Sequence, residues 1–253
     1  MNKGKIRLDQ LLVERNLAAN RGRAQALVMA GCVSQSGQRL EKPGQLIAAT
    51  AEITLHWHDH PWVSRGGLKL AHGLAYFGVL SHDKVALDIG SSTGGFTDVL
   101  LAGGATRVYA VDVGYGQLAM RLRQDQRVVI LERTNARFLS TAQVPEPVDL
   151  VVCDTSFIGL QTVLPAPLSL TRPGAQLIAL IKPQFEVGRN RVGKGGVVRD
   201  TLLQNEVCHR ISYWLSQYCR WHVLGVVTSP IVGAKGNQEF LLYAVRQKDP
   251  QVV

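Results

Sequence analysis

The segment Val85-Ala86-Leu87-Asp88-Ile89-Gly90-Ser91-Ser92-Thr93-Gly94-Gly95-Phe96 decides the fold class. Its first part, 85–89, is typical of a strand, and it runs directly into a loop rich in glycine. Glycine lets the backbone turn tightly and lets another group come close to it. A strand, a glycine loop and a following helical pattern together predict the ligand-binding turn of a doubly wound α/β sheet.

The amino-acid sequence of this loop indicates which class of ligand it binds. A Walker loop requires Gly-Lys-Ser/Thr after its glycines, and that triplet does not occur in the sequence. The dinucleotide pattern G-x-G-x-x-G is also missing here. Instead, Asp88 stands two residues before Gly90, and a carboxylate there suits a cationic or zwitterionic ligand better than a pyrophosphate. We therefore predict S-adenosylmethionine as the cofactor, with Asp112 on its ribose and Asn135 near its adenine. The predicted cofactor-binding residues are Asp88, Gly90, Ser92, Gly94, Gly95, Phe96, Asp112 and Asn135.

Strand-like runs continue beyond this loop, separated in most cases by helical patterns such as 202–218. Alternation of strands and helices predicts a mostly parallel sheet covered by helices on both faces. The segment between the last two runs, 228–239, is too short for an ordinary crossover helix, so we expect a hairpin and an antiparallel last strand. The predicted strands are 85–89, 108–111, 128–131, 150–153, 177–181, 223–227 and 240–245.

Charged residues stand where several of these strands begin or end. Asp154 follows the fourth strand, Lys182 follows the fifth, and Glu239 precedes the last, while Lys69 borders the apolar stripe of the first helix. Each one alone could be a solvated strand end. Ligands of open α/β sheets bind beyond the carboxyl ends of the parallel strands, so we expect these four side chains to converge near the reactive end of the cofactor.

Residues 1–58 have a different pattern and predict a small α+β domain. Leu8, Leu11 and Leu12 indicate a first helix, Asn20 and Gly31 delimit a second, and strands at 32–35 and 53–57 follow. Arginines crowd the junction of the two helices at positions 15, 21 and 23. They indicate either a solvated helix surface or a face that grips phosphate.

The motifs around these residues resemble the TlyA (hemolysin A) family, whose methyltransferase domain is similar to the FtsJ-type RNA 2′-O-methyltransferases. The resemblance rests on Trp62–Gly67, Val113–Leu118, Glu132–Arg137 and Lys182–Gly188, while Arg7–Leu12 and Arg21–Val28 resemble an S4 RNA-binding domain. It implies an S4-like domain over 1–58, a linker over 59–63 and an FtsJ-like methyltransferase domain over 64–253. The family's catalytic Lys-Asp-Lys-Glu set maps onto Lys69, Asp154, Lys182 and Glu239.

The same resemblance implies methyl transfer from S-adenosylmethionine to a ribose 2′-hydroxyl, of a cytidine in ribosomal RNA, with a lean toward the large subunit. Lys182 would be the base or would orient the hydroxyl, with a pKa lowered by burial and by Lys69; Asp154 and Glu239 would orient the lysines. Phe157 and Phe185 are either stacking or core residues. The expected RNA-contacting residues are Arg7, Arg15, Arg21, Arg23, Arg65, Arg189, Arg191 and Lys194.

The glycine-rich segment 188–199 predicts a mobile basic clamp next to Lys182. A net charge of +9 favours a polyanionic partner, namely ribosomal RNA or a ribosomal subunit.

No apolar run approaches the ~20 residues of a membrane span, and we expect no secretory signal, four reduced cysteines and a cytoplasmic monomer. His56, His58 and His60 could share one strand face, but we expect no metal. The alternatives to an rRNA methyltransferase are a catalytically silent RNA-binding or ribosome-assembly factor and a membrane-damaging hemolysin.

Overall fold

The computed structural model describes residues 4–18, 20–29, 31–55 and 60–247. The chain divides into two compact units, residues 1–61 and 62–253. Each unit has its own hydrophobic core. Among the residues described, the smaller unit contains one cluster of buried apolar side chains and the larger unit contains two.

The smaller unit is built on two short helices, as the leucine spacing predicts. Leu8, Leu11 and Leu12 are buried on the first helix. The Asn20 side chain accepts a hydrogen bond from the Arg23 backbone N–H at 2.9 Å and so caps the second helix, while Gly31 at φ +75° ends it. The described elements are β1 (Lys5–Arg7), α1 (Leu8–Glu14), α2 (Arg21–Met29), β2 (Val33–Gln35), β3 (Gln38–Arg39), β4 (Leu46–Ala48) and β5 (Ile53–Leu55).

The larger unit contains one seven-stranded sheet in its described part, with the order β11-β12-β10-β9-β6-β7-β8. Strand β12 is antiparallel to both β10 and β11, and the other pairings are parallel. The predicted fold class, including the antiparallel last strand, is therefore confirmed. The strands are β6 (Val85–Ile89), β7 (Arg107–Val111), β8 (Val128–Leu131), β9 (Val148–Cys153), β10 (Thr171–Ile181), β11 (Trp221–Thr228) and β12 (Phe240–Arg246).

Helices cover both faces of this sheet. Because side chains alternate along a strand, Leu87 packs in one buried cluster and its neighbour Ala86 in the other. The cluster that holds Ala86 includes residues of α3 and α4, and the cluster that holds Leu87 includes residues of α6, α7 and α9. The helices are α3 (Gly66–Phe77), α4 (Gly95–Ala102), α5 (Met120–Arg123), α6 (Leu160–Val163), α7 (Pro165–Ser169), α8 (Pro183–Glu186) and α9 (Thr201–Tyr218).

The strand order places a crevice between β6 and β9. From β6 the chain builds outward through β7 and β8, then returns to place β9 on the other side of β6. Ligands of doubly wound sheets bind beyond the carboxyl ends of the strands at such a reversal. The glycine loop after β6 and Asp154 after β9 both lie at this crevice.

Candidate active site

The glycines of the loop after β6 make room for other parts of the protein. Gly90 has φ +84°, and a Cβ there would lie 2.8 Å from the Asp154 carbonyl oxygen. Gly94 has φ +97°, and a Cβ there would collide with leucine side chains at 118 and 122; a Cβ on Gly95 would collide with Ser64. The sequence therefore identifies the positions that need glycine, but the close neighbours are protein atoms.

Asp88 lies in β6, just before the glycine loop, with its side chain in the interior. Its side chain is fully buried, and Oδ2 accepts a hydrogen bond from Thr97 Oγ1 at 2.6 Å. Burial raises the pKa of Asp88 to about 7. The strand points this side chain into the interior, and the predicted contact of Asp88 with the bound molecule stays a prediction. Among the described residues, Asp88 Oδ1 has no hydrogen-bond partner.

Phe96 is a second residue whose side chain points away from the crevice. It is 3% exposed and packs with Leu70, Val99 and Leu100 in the cluster under α3 and α4. The aromatic ring therefore lies in the core, and the predicted contact of Phe96 with the cofactor stays a prediction. Only its backbone, in the first turn of α4, is placed for such a role.

Asp112 fixes the glycine loop from the next strand. Its carboxylate accepts hydrogen bonds from the backbone N–H of Ser92 at 2.8 Å and of Gly114 at 2.6 Å. Asn135, after β8, caps a 3-10 turn by accepting from the Arg137 backbone N–H at 3.1 Å. Ser92, Asp112 and Asn135 thus follow three adjacent strands at one edge of the sheet, as predicted.

The four charged residues expected to converge do so. Lys69 Nζ donates to Glu239 Oε2 at 2.6 Å and lies 3.7 Å from Asp154 Oδ2. Lys182 Nζ lies 2.5 Å from Asp154 Oδ1. Asp154 therefore bridges both ammonium groups, and the exposed fractions of the four side chains range from 3% to 18%. We call Lys69, Asp154, Lys182 and Glu239 the tetrad.

Charge within the tetrad decides the state of Lys182. Burial alone would lower the pKa of the Lys182 ammonium, but the Asp154 and Glu239 carboxylates outweigh burial and raise it above its ordinary value. Burial likewise acts to raise the pKa of Asp154, but the two lysines hold it below its ordinary value. The expectation of a lowered Lys182 pKa is therefore wrong for the protein alone, where Lys182 is an ammonium group.

Two further residues support the tetrad, and sequence patterns did not reveal them. Ser156 Oγ accepts a hydrogen bond from Lys182 Nζ at 3.1 Å. At Gly233, an added Cβ would collide with the Glu239 carboxylate, so glycine leaves the space that Glu239 occupies. Gly233 could not be found from local sequence, because its neighbour is brought to it only by the fold.

Most arginines expected to face RNA in the smaller unit have protein partners. Arg7 donates to the buried Asp9 carboxylate at 2.8 and 3.0 Å, and Arg21 donates to it at 3.2 Å. The hydrogen bonds from Arg7 hold the pKa of Asp9 well below its usual range. Arg15 donates to the backbone carbonyls of residues 49 and 51, both at 2.6 Å. Arg23 is exposed at the start of α2.

Residues 188–199, named the basic loop here, are folded into a defined structure. Gly193 pairs with Val197 in a β-bridge, and Arg191 forms a two-pronged ion pair with Glu206 at 2.8 and 2.6 Å. These contacts give the basic loop one defined conformation in the protein alone, and its movement as a clamp stays a prediction. Lys194 is exposed, whereas the side chain of Arg189 lies outside the described residues. Arg65, at the start of α3, is half-buried.

Phe157 is exposed beside the tetrad. Its ring is 90% exposed, its φ is +68°, and it lies 5.1 Å from the half-buried ring of Phe185. The core interpretation of Phe157 is therefore wrong.

His56 and His58 lie outside the described residues. No cluster of histidine, cysteine, aspartate and glutamate suited to a metal ion occurs in the rest of the chain that the structure describes. Over the same residues, no helix has the length and apolar character needed to cross a membrane.

Comparison with known proteins identifies the family of this chain. Residues 62–246 match the family model of the FtsJ-like methyltransferases. The YqxC protein of Bacillus subtilis is 47% identical over 247 residues, which cover 96% of this chain and 86% of YqxC. The 16S/23S rRNA (cytidine-2′-O)-methyltransferase TlyA of Mycobacterium tuberculosis is 45% identical over 246 residues, covering 97% and 91% of the two chains.

A second TlyA protein and a solved structure are also similar to this chain. The 23S rRNA (cytidine-2′-O)-methyltransferase TlyA of Campylobacter jejuni is 35% identical over 208 residues, covering 79% of this chain and 77% of that protein. A solved structure from Streptococcus thermophilus that carries the hemolysin name is 40% identical, with a TM-score of 0.76 over 98% of this chain and 90% of that one.

Proposed function

Because the chain belongs to the FtsJ-like methyltransferase family, in the group of the TlyA proteins, we propose that it methylates a ribose 2′-hydroxyl in ribosomal RNA. The observation that carries this proposal is the tetrad, which gathers two lysines and two carboxylates at the sheet edge where the glycine loop ends. A catalytically silent RNA-binding factor would have no need of such a buried charged set, whose assembly costs desolvation free energy.

We propose S-adenosylmethionine as the methyl donor, bound by the loops that follow β6, β7 and β8. We propose that the backbone of the glycine loop and of the first turn of α4 holds its amino-acid end, that Asp112 accepts from its ribose hydroxyls, and that Asn135 lies near its adenine. Asp112 uses its oxygens on two backbone N–H groups, and each carboxylate oxygen can accept further hydrogen bonds. The unpartnered, buried Asp88 Oδ1 supports a site that is completed by a bound molecule or water.

The tetrad would move and hold a proton at the ribose hydroxyl. When bound, S-adenosylmethionine supplies an electrophilic methyl group and a positive charge. Loss of the Lys182 proton to solvent, which a nearby positive charge favours, would leave a neutral Nζ able to accept the proton of the 2′-hydroxyl. The oxygen would gain the methyl group as the methyl–sulfur bond breaks, with S-adenosylhomocysteine as the leaving thioether. Lys69, held by Glu239, and Asp154 keep Lys182 in place, and Lys69 opposes the negative charge that develops on the oxygen.

The RNA substrate is proposed from relatives and from charge. The two TlyA proteins named above are 16S/23S and 23S rRNA methyltransferases by name, and we propose a cytidine of the large subunit as the first target to examine. We also propose that the smaller unit binds RNA in the manner of an S4 domain, with Arg23 among its contacts. An rRNA substrate places this activity in the cytoplasm.

Two measurements test the proposal. Mass mapping of rRNA from cells with and without the gene should reveal one or more ribose-methylated cytidines that disappear with the gene. Calorimetry should show binding of S-adenosylhomocysteine that Asp112→Ala weakens by about tenfold or more, the loss of one or two good hydrogen bonds. Unchanged rRNA, or equal affinity for NAD, would contradict the proposal.

A further inference from the structure

Asn237 is a buried amide that joins two loops beside the tetrad. It is 2% exposed, and its Oδ1 accepts a hydrogen bond from the Val198 backbone N–H at 3.1 Å. Its Nδ2 donates to the carbonyls of Gly196 at 3.0 Å and Ala234 at 3.1 Å. One side chain therefore ties the basic loop to residues 229–239, which we call the Glu239 loop.

The Glu239 loop is closed on itself around that amide. The Ser229 backbone N–H donates to the Glu239 carbonyl at 2.9 Å, and the Gly233 N–H donates to the Asn237 carbonyl at 2.8 Å. The Glu239 side chain lies in the space left by Gly233. The position of the carboxylate therefore depends on how this loop is held.

Contacts continue from Glu239 to the proposed base. Glu239 Oε2 accepts from Lys69 Nζ at 2.6 Å, and Asp154 then bridges Lys69 and Lys182 at 3.7 and 2.5 Å. A displacement of about 1 Å in such a site can cost ~10²-fold in rate. Movement of the Glu239 loop is thus placed to alter transfer through Lys69 and Asp154.

We propose that Asn237 is a positioning residue that fixes the Glu239 carboxylate relative to the basic loop. RNA held by exposed cations of that loop, Lys194 and Arg199, is thereby placed in register with the Lys69–Glu239 pair. This inference rests on the proposed function and adds a coupling between substrate contact and tetrad geometry.

Gln204 offers a matched control. It is also buried, and its Nε2 donates to the Val198 carbonyl at 2.8 Å, so it anchors the same basic loop to α9. In the contacts described, its side chain does not reach the Glu239 loop. If Asn237 only stabilised the basic loop, Asn237→Ala and Gln204→Ala would lower the single-turnover rate equally.

The test compares the two variants by single-turnover methylation at saturating rRNA, by RNA binding and by thermal unfolding. Asn237→Ala should lower the single-turnover rate by about 10- to 100-fold while the RNA Kd changes by less than about threefold. Gln204→Ala should lower Tm comparably but keep the rate within about threefold of wild type. Asn237→Ser, which keeps a polar group, replaces Asn237→Ala if the latter does not fold, with the same split expected.

Equal rate losses in the two variants, or a normal rate in the Asn237 variant, would overturn the inference while the proposed function stands. A wild-type protein that transfers no methyl group to any rRNA would overturn both.

Discussion

At the residue scale, Lys182 shows how neighbouring charges control the protonation of the proposed base. The carboxylates of Asp154 and Glu239 raise its pKa, so the protein holds it as an ammonium group near neutral pH. Sequence reasoning assigned the lysine to the right place but gave it the opposite shift, because it weighed burial and Lys69 above two carboxylates whose distances it could not know.

This assignment predicts the pH dependence of transfer. If neutral Lys182 accepts the hydroxyl proton, the single-turnover rate should rise about tenfold per pH unit from pH 7 to 9, following the small neutral fraction. Lys182→Arg, whose guanidinium stays charged, should be inactive over the whole range. A flat profile for the wild type would instead assign Lys182 to orienting the hydroxyl as an ammonium group.

Gly233 is the residue whose role is purely steric. We expect Gly233→Ala to push the Glu239 carboxylate away from Lys69 and to lower the single-turnover rate by about 10- to 100-fold, with a small change in Tm. Gly188→Ala is the control, because the nearest atom to its added Cβ would lie at 3.6 Å, an ordinary contact. Wild-type activity in Gly233→Ala would show that Glu239 tolerates displacement.

Asp88 predicts a pH effect on stability. Burial raises its pKa to about 7, whereas an aspartate of the unfolded chain titrates at about 4. Its contribution to stability is therefore present below about pH 4 and is lost as the pH rises through about 7. Asp88→Asn removes this loss and should gain up to about 4 kcal/mol relative to wild type between pH 5 and 8, at ~1.4 kcal/mol per pKa unit. Urea unfolding at several pH values measures the difference; parallel curves would show that Asp88 is ionised without penalty.

At the element scale, the arginines around helices α1 and α2 of the smaller unit differ in their surroundings. Arg7 and Arg21 bind a buried carboxylate, whereas Arg23 is exposed. Asp9 on α1 is fully buried and gathers Arg7, Arg21 and Gln25. The sequence predicted both helices, together with the Asn20 cap and the Gly31 end of α2, because these depend on local spacing. It could not separate Arg21 from Arg23, since only the fold brings Asp9 to one of them.

This difference in surroundings predicts that alanine variants of Arg21 and Arg23 differ in thermal stability. Arg23→Ala should weaken RNA binding and reduce the salt dependence of log Kd by about one unit while leaving Tm unchanged. Arg21→Ala should also lower Tm, because it removes a partner of a buried carboxylate. Binding across a salt series, together with thermal scans of both variants, checks the distinction; identical effects on Tm would contradict it.

At the scale of the whole molecule, the fold was predictable because it depends on repeated patterns. Each strand of the large sheet lies where an apolar run predicts it, and the short 228–239 connection indicated the antiparallel last strand. The convergence of the tetrad followed from the rule that strand ends share an edge. The inward direction of Asp88, the neighbours of the loop glycines and the anchoring of the basic loop depend on long-range contacts that no local pattern encodes.

The central claim is methyl transfer by the tetrad to a ribose hydroxyl, and one measurement tests it most directly. Purified protein and its Lys182→Met variant are incubated with ribosomal subunits and labelled S-adenosylmethionine, and the labelled nucleoside is identified by mass spectrometry. The wild type should yield 2′-O-methylcytidine in rRNA, and Lys182→Met should yield none above background while unfolding at nearly the same temperature. A label on a base, no label with the wild type, or a variant within a few-fold of wild-type activity would contradict the account.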